Sequence, residues 1–230
     1  MDEATWLATD HIGGLWQFLK AAKHNPGARK LRLFACACCR RGWAAFTDTS
    51  ARQGVEVAER AADRLASRKE LNAAAQAARV DVLRRGQMRP DDPEYNRARA
   101  CGAAAQAAAP KSYNWGEAWR AAATAAGAVA GLTGSMYDPA FNAAVAAENR
   151  AQAVLFRHLI GNPYRPFAAP EQWPATVVQL TESLYGGQDC RLPLSDALEE
   201  AGFADLARHF REEDWHPKGC WAMDAILGKG

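Results

Sequence analysis

Six cysteines and five histidines are the side chains of this 230-residue chain with the most chemistry to offer. Three of the cysteines, Cys36, Cys38 and Cys39, fall within four positions of the stretch LRLFACACCRRGW. Cys36 and Cys39 form a C-x-x-C pair. Such a pair performs thiol–disulfide exchange when it joins a strand to a helix in a βαβ unit, and no strand pattern flanks it here. The second concentration is HPKGCW, in which His216 and Cys220 stand four apart, with His209 upstream and Asp224 downstream.

Thiolates and imidazoles are the ligands of structural zinc, which takes four of them tetrahedrally. Cys36, Cys39, Cys220 and His216 would make a set of three thiolates and one imidazole, with His209 as a spare, if the fold joins the two ends of the chain. Cys220, a histidine (His216 or His209) and Asp224 also supply the types for a nucleophile, a base and an orienting acid. No nucleophile elbow or oxyanion-hole motif accompanies them, so no catalytic residue is assigned; the reading leans away from an enzyme, and a Cys/His-dependent enzyme stays as the lesser alternative. The third reading is packing. On a helix over 27–46, Leu31, Ala35, Cys38, Cys39, Gly42 and Phe46 share one side, and cysteine is a small hydrophobe where larger side chains do not fit. Packing is the expectation for the cluster, with zinc as the alternative.

The elements that must position these groups read as helices. Asn25 with Pro26, and Asp138 with Pro139, are cap and first-turn pairs. Ser67 and Glu70 have capping-box spacing and predict a helix over 68–85, stopped by Gly86. A turn and helix start follow in RPDDPEYN, and Pro110 ends the next alanine-rich run. Trp115 and Trp119 mark the expected buried side of the helix after that, and Val55, Ala58, Ala62 and Leu65 that of an earlier one. The helix starting at Pro139 ends at Gly161. GNPYRPFAAPEQWP carries four prolines and predicts an extended segment over the helices or between subdomains. Short helices are expected over 175–185, 194–201, 204–212 and 219–227. The alanine-rich middle, 73–147, has high helix propensity and little bulk, so its helices must pack closely or fray. The fold class is therefore all-α, a multi-helix bundle or irregular helical array. Its expected parts are a helical domain over 1–161, a proline-rich connector over 162–174 and a compact C-terminal part over 175–230.

Charge excludes more than it suggests. The formal net charge is +2, from 28 basic and 26 acidic side chains, so no global field draws the chain to nucleic acid or lipid. Arg40 and Arg41 could bind an anion, but the basic residues of this helix are spread around it. Glu56, Glu59, Arg60 and Asp63 on the next helix are ready ion-pair partners. Nucleic acid gains little support. The acidic start lacks the pattern of a secretory signal, and the most apolar segment is mostly alanine and glycine. A cytoplasmic protein with reduced thiols and no membrane span is expected.

The blocks LRLFACACCRRGW, VEVAERAADRL, GNPYRPF, LPLSDALEEAG and HPKGCWAMDAILGK occur here in order. In these blocks the chain resembles an uncharacterised planctomycete bacterial protein family. The resemblance covers the first and last thirds and implies a bacterial, cytoplasmic origin without supplying an activity. Phe203 and Phe210 stand where the resemblance would place cysteine, which weakens any metal site that would use those positions. The combined expectation is a helical protein-interaction or scaffold module with an unknown protein partner. Zinc is the possible cofactor.

Overall fold

Local capping chemistry sets several helix starts. Glu70 Oε2 accepts the Ser67 N–H at 2.8 Å while Ser67 Oγ accepts the Glu70 N–H at 3.2 Å, closing the capping box. Asp2 and Asn114 accept N–H groups three residues on in the same way. The computed structural model describes residues 2–85, 93–109 and 113–229, and among them lie twelve α-helices and no strand. These are α1 (Glu3–Ala8), α2 (Ile12–Ala21), α3 (Gly27–Arg41), α4 (Thr49–Ala62), α5 (Arg68–Arg85), α6 (Pro93–Ala107), α7 (Trp115–Ala130), α8 (Pro139–Ile160), α9 (Ala175–Tyr185), α10 (Arg191–Glu200), α11 (Ala204–Glu212) and α12 (Trp221–Leu227). The all-α architecture agrees with the sequence pattern. The expected stop at Gly86, the turn before Pro93 and the stop at Pro110 lie outside the described residues. No helix among those described is long and apolar enough to cross a membrane.

The chain divides into two units, Met1–Phe156 and Arg157–Gly230, with the division inside α8. The core of the first unit is centred on α3, where every residue from Leu31 to Cys39 is buried. Phe34 meets Phe156 edge-on at 5.1 Å. Helix α3 ends at Arg41, short of the expected 46, and a 3-10 turn over Trp43–Ala45 follows. Helix α7 approaches closely at this end: a Cβ at Gly42 would collide with the Val129 side chain, so the position suits glycine.

The alanine-rich helices pack closely. Ala103, Ala104, Ala107, Ala118, Ala121 and Ala125 are fully buried, and Gly54 of α4 meets Ala104 of α6 so tightly that an added Cβ would lie 3.3 Å from Ala104 Cβ. Small side chains here let helix backbones approach, and dispersion across many short contacts replaces the burial of bulky groups. Ala104→Leu is therefore expected to destabilise the first unit by about 1–3 kcal/mol through overpacking. A fall in the urea midpoint at constant slope would register it. An unchanged midpoint would mean that this interface yields.

Alanine also corrects one sequence expectation. The buried side of α7 is Ala118, Ala121, Ala122 and Ala125, whereas Trp119 is 41% exposed. Leu65 likewise falls beyond the end of α4 and is 67% exposed.

In the second unit Leu194, Leu198, Leu206, Phe210, Met223 and Ile226 from α10, α11 and α12 form one core with Val177 of α9. The proline-rich segment runs without regular structure before α9, and its Phe167 and Trp173 stack at 6.1 Å against that core. The extended backbone follows from its prolines, and its two aromatic residues fasten it to the helices.

Candidate metal centre

Four ligand groups meet in the second unit. His158, His209, His216 and Cys220 each present an atom able to bind a metal, and these atoms all lie within 4.8 Å of one another. His209 Nε2 is 3.2 Å from Cys220 Sγ, and His216 Nδ1 is 3.9 Å from the same sulfur. The three imidazole centroids are 4.7, 5.0 and 5.2 Å apart.

Each group is placed by a definite local device. His158 is in the last turn of α8, which Gly161 ends at φ +82°; a Cβ there would lie 3.3 Å from the Trp221 ring, so glycine lets this helix end close against the start of α12. His209 is on α11, whose Leu206, Ala207 and Phe210 face the core. His216 and Cys220 flank a turn in which the Cys220 N–H reaches the Pro217 carbonyl at 3.0 Å. Gly219, at φ +87°, takes the third position of that turn, where a type II geometry requires a positive φ. Cys220 then caps α12 and its carbonyl accepts the Asp224 N–H at 2.9 Å. The H-x-x-x-C spacing is thus a turn followed by a helix start.

The environment keeps the imidazoles in their ligating form. Burial, with His216 nearby, holds His209 down to about 3. Burial also holds His216 down to about 4, against the Glu213 and Phe210 carbonyls, which favour its charged form. Both rings are therefore neutral at pH 7, as metal ligands must be. The Phe210 ring, 4.8 Å from His216, and the Trp221 ring, 5.3 Å from His209, wall the group with apolar surface. His216 Nε2 is buried with no hydrogen-bond partner among the described residues. Cys220 is completely buried.

The geometry suits a small tetrahedral ion. With zinc bonds of 2.0–2.1 Å to nitrogen and 2.3 Å to sulfur, tetrahedral ligand atoms sit about 3.3–3.6 Å apart. The two sulfur–nitrogen spacings, 3.2 and 3.9 Å, lie on either side of that range. Three imidazoles and one thiolate would fill all four positions of such an ion. A site so closed leaves none for a reacting water, which is the mark of a structural centre.

The fold divides the ligand set that the sequence suggests. His216 and Cys220 come together, and the spare ligand His209 joins them. His158 completes the group, and nothing in the sequence pattern singles it out. Cys36 and Cys39 lie on α3 in the first unit, and the group of four in the second unit does not include them. Their sulfurs are buried, and desolvation pushes the thiols of Cys36, Cys38 and Cys39 well up from their ordinary value. Cys36 Sγ faces the Val55 carbonyl at 3.9 Å. Neutral, enclosed thiols of this kind act as packing atoms. None of the six cysteines, all among the described residues, forms a disulfide.

The remaining predicted binding residues have other partners. Arg40 forms a two-bond pair with Glu59 at 2.9 and 2.8 Å, and Arg41 forms one with Glu148 at 3.0 and 3.2 Å. Both pairs span helices of the first unit and leave less of either guanidinium for an external anion. Asp224 is buried one turn beyond Cys220 and is not among the four clustered groups.

Comparisons with family models, with curated proteins and with solved structures give no match to this chain.

Proposed function

We propose that this chain is a helical interaction module whose second unit is organised by a structural zinc ion held by His158, His209, His216 and Cys220. The observation that carries the reading is the convergence of three imidazoles and one thiol within 4.8 Å. Two neutral histidines and a fully buried thiol support a closed centre over an exposed acidic cluster. The ion would tie the end of α8 to α11 and to the start of α12. With every ligand position taken, its role is to stabilise, and partner recognition falls to the helix surfaces.

The test is elemental analysis of untagged protein produced with zinc in the medium. Wild type is expected to carry about one zinc per chain. A Cys36→Ala, Cys38→Ala, Cys39→Ala triple variant should carry the same amount, since its sulfurs serve packing in the first unit. No bound metal in wild type would refute the reading. Loss of zinc from a folded triple variant would return the α3 cysteines to the ligand set.

A further inference from the structure

The first unit contains a cleft that owes nothing to the metal centre. A cavity of about 630 Å³ opens among the second half of α2, the link to α3 and the start of α7. That volume lies in the range of small-molecule sites. One part of the wall is aromatic: Trp16 and Trp115 stack at 4.3 Å with their planes 9° apart, and Trp16 remains partly exposed. The other part is cationic, with Lys20, Lys23 and His24, and among the described residues no carboxylate lines the cleft.

Three further observations fit an anion. The N–H groups of Trp115 and Gly116 open α7, a helix of 16 residues, and the first N–H groups of a helix have no intrahelical acceptor and carry its positive end. Tyr113, shortly before, also lines the cleft; it is 5% exposed, and its hydroxyl has no hydrogen-bond partner among the described residues. Lys23 occupies a left-handed position, φ +54°, at the end of α2. Its N–H reaches the Lys20 carbonyl at 3.1 Å and the His24 N–H reaches the Leu19 carbonyl at 2.8 Å, the paired bonds of a Schellman ending. Glycine suits that position best, and a lysine is held there at the rim of the cleft.

We propose that this cleft binds a small anion bearing a planar aromatic ring, of the chemical class of a mononucleotide. The anionic group would sit at the start of α7 between Lys20 and Lys23, with the ring against Trp16. The cations supply attraction, the helix N-terminus supplies directed donors, and the indole supplies a flat apolar surface.

Titration calorimetry on the full, zinc-replete chain tests this with AMP, adenosine and inorganic phosphate as separate probes. AMP is expected to bind once per chain with Kd below about 1 mM, and each half alone at least about tenfold more weakly. Lys23→Gly should weaken AMP about fivefold or more while leaving the thermal midpoint unchanged or higher, because glycine relaxes the left-handed position. Trp16→Leu should weaken AMP and leave phosphate as it was. Absence of saturable AMP binding, phosphate binding as tightly as AMP, or undiminished binding by folded Lys23→Gly protein would each overturn the proposal.

Discussion

Cys220→Ser is expected to reduce zinc affinity by about a hundredfold to a thousandfold. A structural site with an apparent binding free energy of about 10–16 kcal/mol, divided over four ligands, assigns each about 2.5–4 kcal/mol. Serine keeps the size and removes the thiolate, so packing of the completely buried side chain changes little. The loss should therefore fall on the metal. Cobalt provides the readout: the wild-type centre should show tetrahedral visible bands and a thiolate-to-cobalt charge-transfer band. The variant should lose the second and yield its ion to a chelator at far lower concentration. His158→Ala should weaken binding comparably, because that histidine is the ligand proposed from α8. Chelation of wild type should lower the stability of the second unit, since binding energy confined to the folded state is folding energy. A Cys220→Ser protein that keeps cobalt with its charge-transfer band intact would exclude this sulfur as a ligand.

Much of the scaffold behind that site is legible in the sequence, for physical reasons that vary by element. Helix α5 begins where the Ser67–Glu70 box says it must, and α9 and α11 occupy the spans that their punctuation indicates. Proline, glycine and short polar caps act locally, so no knowledge of the rest of the fold is needed. Trp119 shows the converse. Its size and its i, i+4 relation to Trp115 suggest burial, but α7 turns a stripe of alanines to its neighbours, and only the tertiary approach of α3 and α6 rewards so little bulk. The four residues of the proposed centre divide along the same line. His216 and Cys220 are four apart and share one turn, so their chemistry is visible locally, and His209 is one helix away. His158 lies far upstream, in the last turn of a helix that the sequence marks only by its Gly161 stop. A histidine there reads equally as a favourable charge at a helix C-terminus. Cys36 and Cys39 are ambiguous in the other direction. C-x-x-C spacing puts two thiols within one helical turn, and sequence does not distinguish a turn aimed at an ion from one packed into the core around α3.

Zinc binding at pH 6 is expected to release between about one and two protons, and this count separates a prepared site from an ordinary group of histidines. The thiol of Cys220 must give up its proton to ligate. His209 and His216, held down to about 3 and about 4, are already neutral at pH 6 and contribute none. Two histidines with the ordinary value of about 6.5 would each be about three-quarters protonated there and would add about 1.5 protons. Even a fully titrating His158 adds less than one, so a release above about 2.5 would show that the folded site does not hold its imidazoles neutral. Calorimetry in buffers of different ionisation enthalpy gives the number directly. The same shifts fix the sign of the acid response of the metal-free fold. Below about pH 6.5 the unfolded chain binds protons at these two rings and the folded chain does not, so stability falls as pH falls from about 6.5 toward about 4, at up to about 1.4 kcal/mol per pH unit for each ring. Zinc does not offset that loss: binding releases at least the Cys220 proton, so the affinity of the folded site falls as pH falls, and the zinc-loaded protein loses stability with acid faster than the metal-free one. Acid should therefore bring the zinc-loaded and metal-free unfolding curves together, until protons displace the ion from the thiolate and the two coincide. At fixed free zinc the two should differ more at pH 7 than at pH 6, and a gap that widens on acidification would contradict proton release from the thiol.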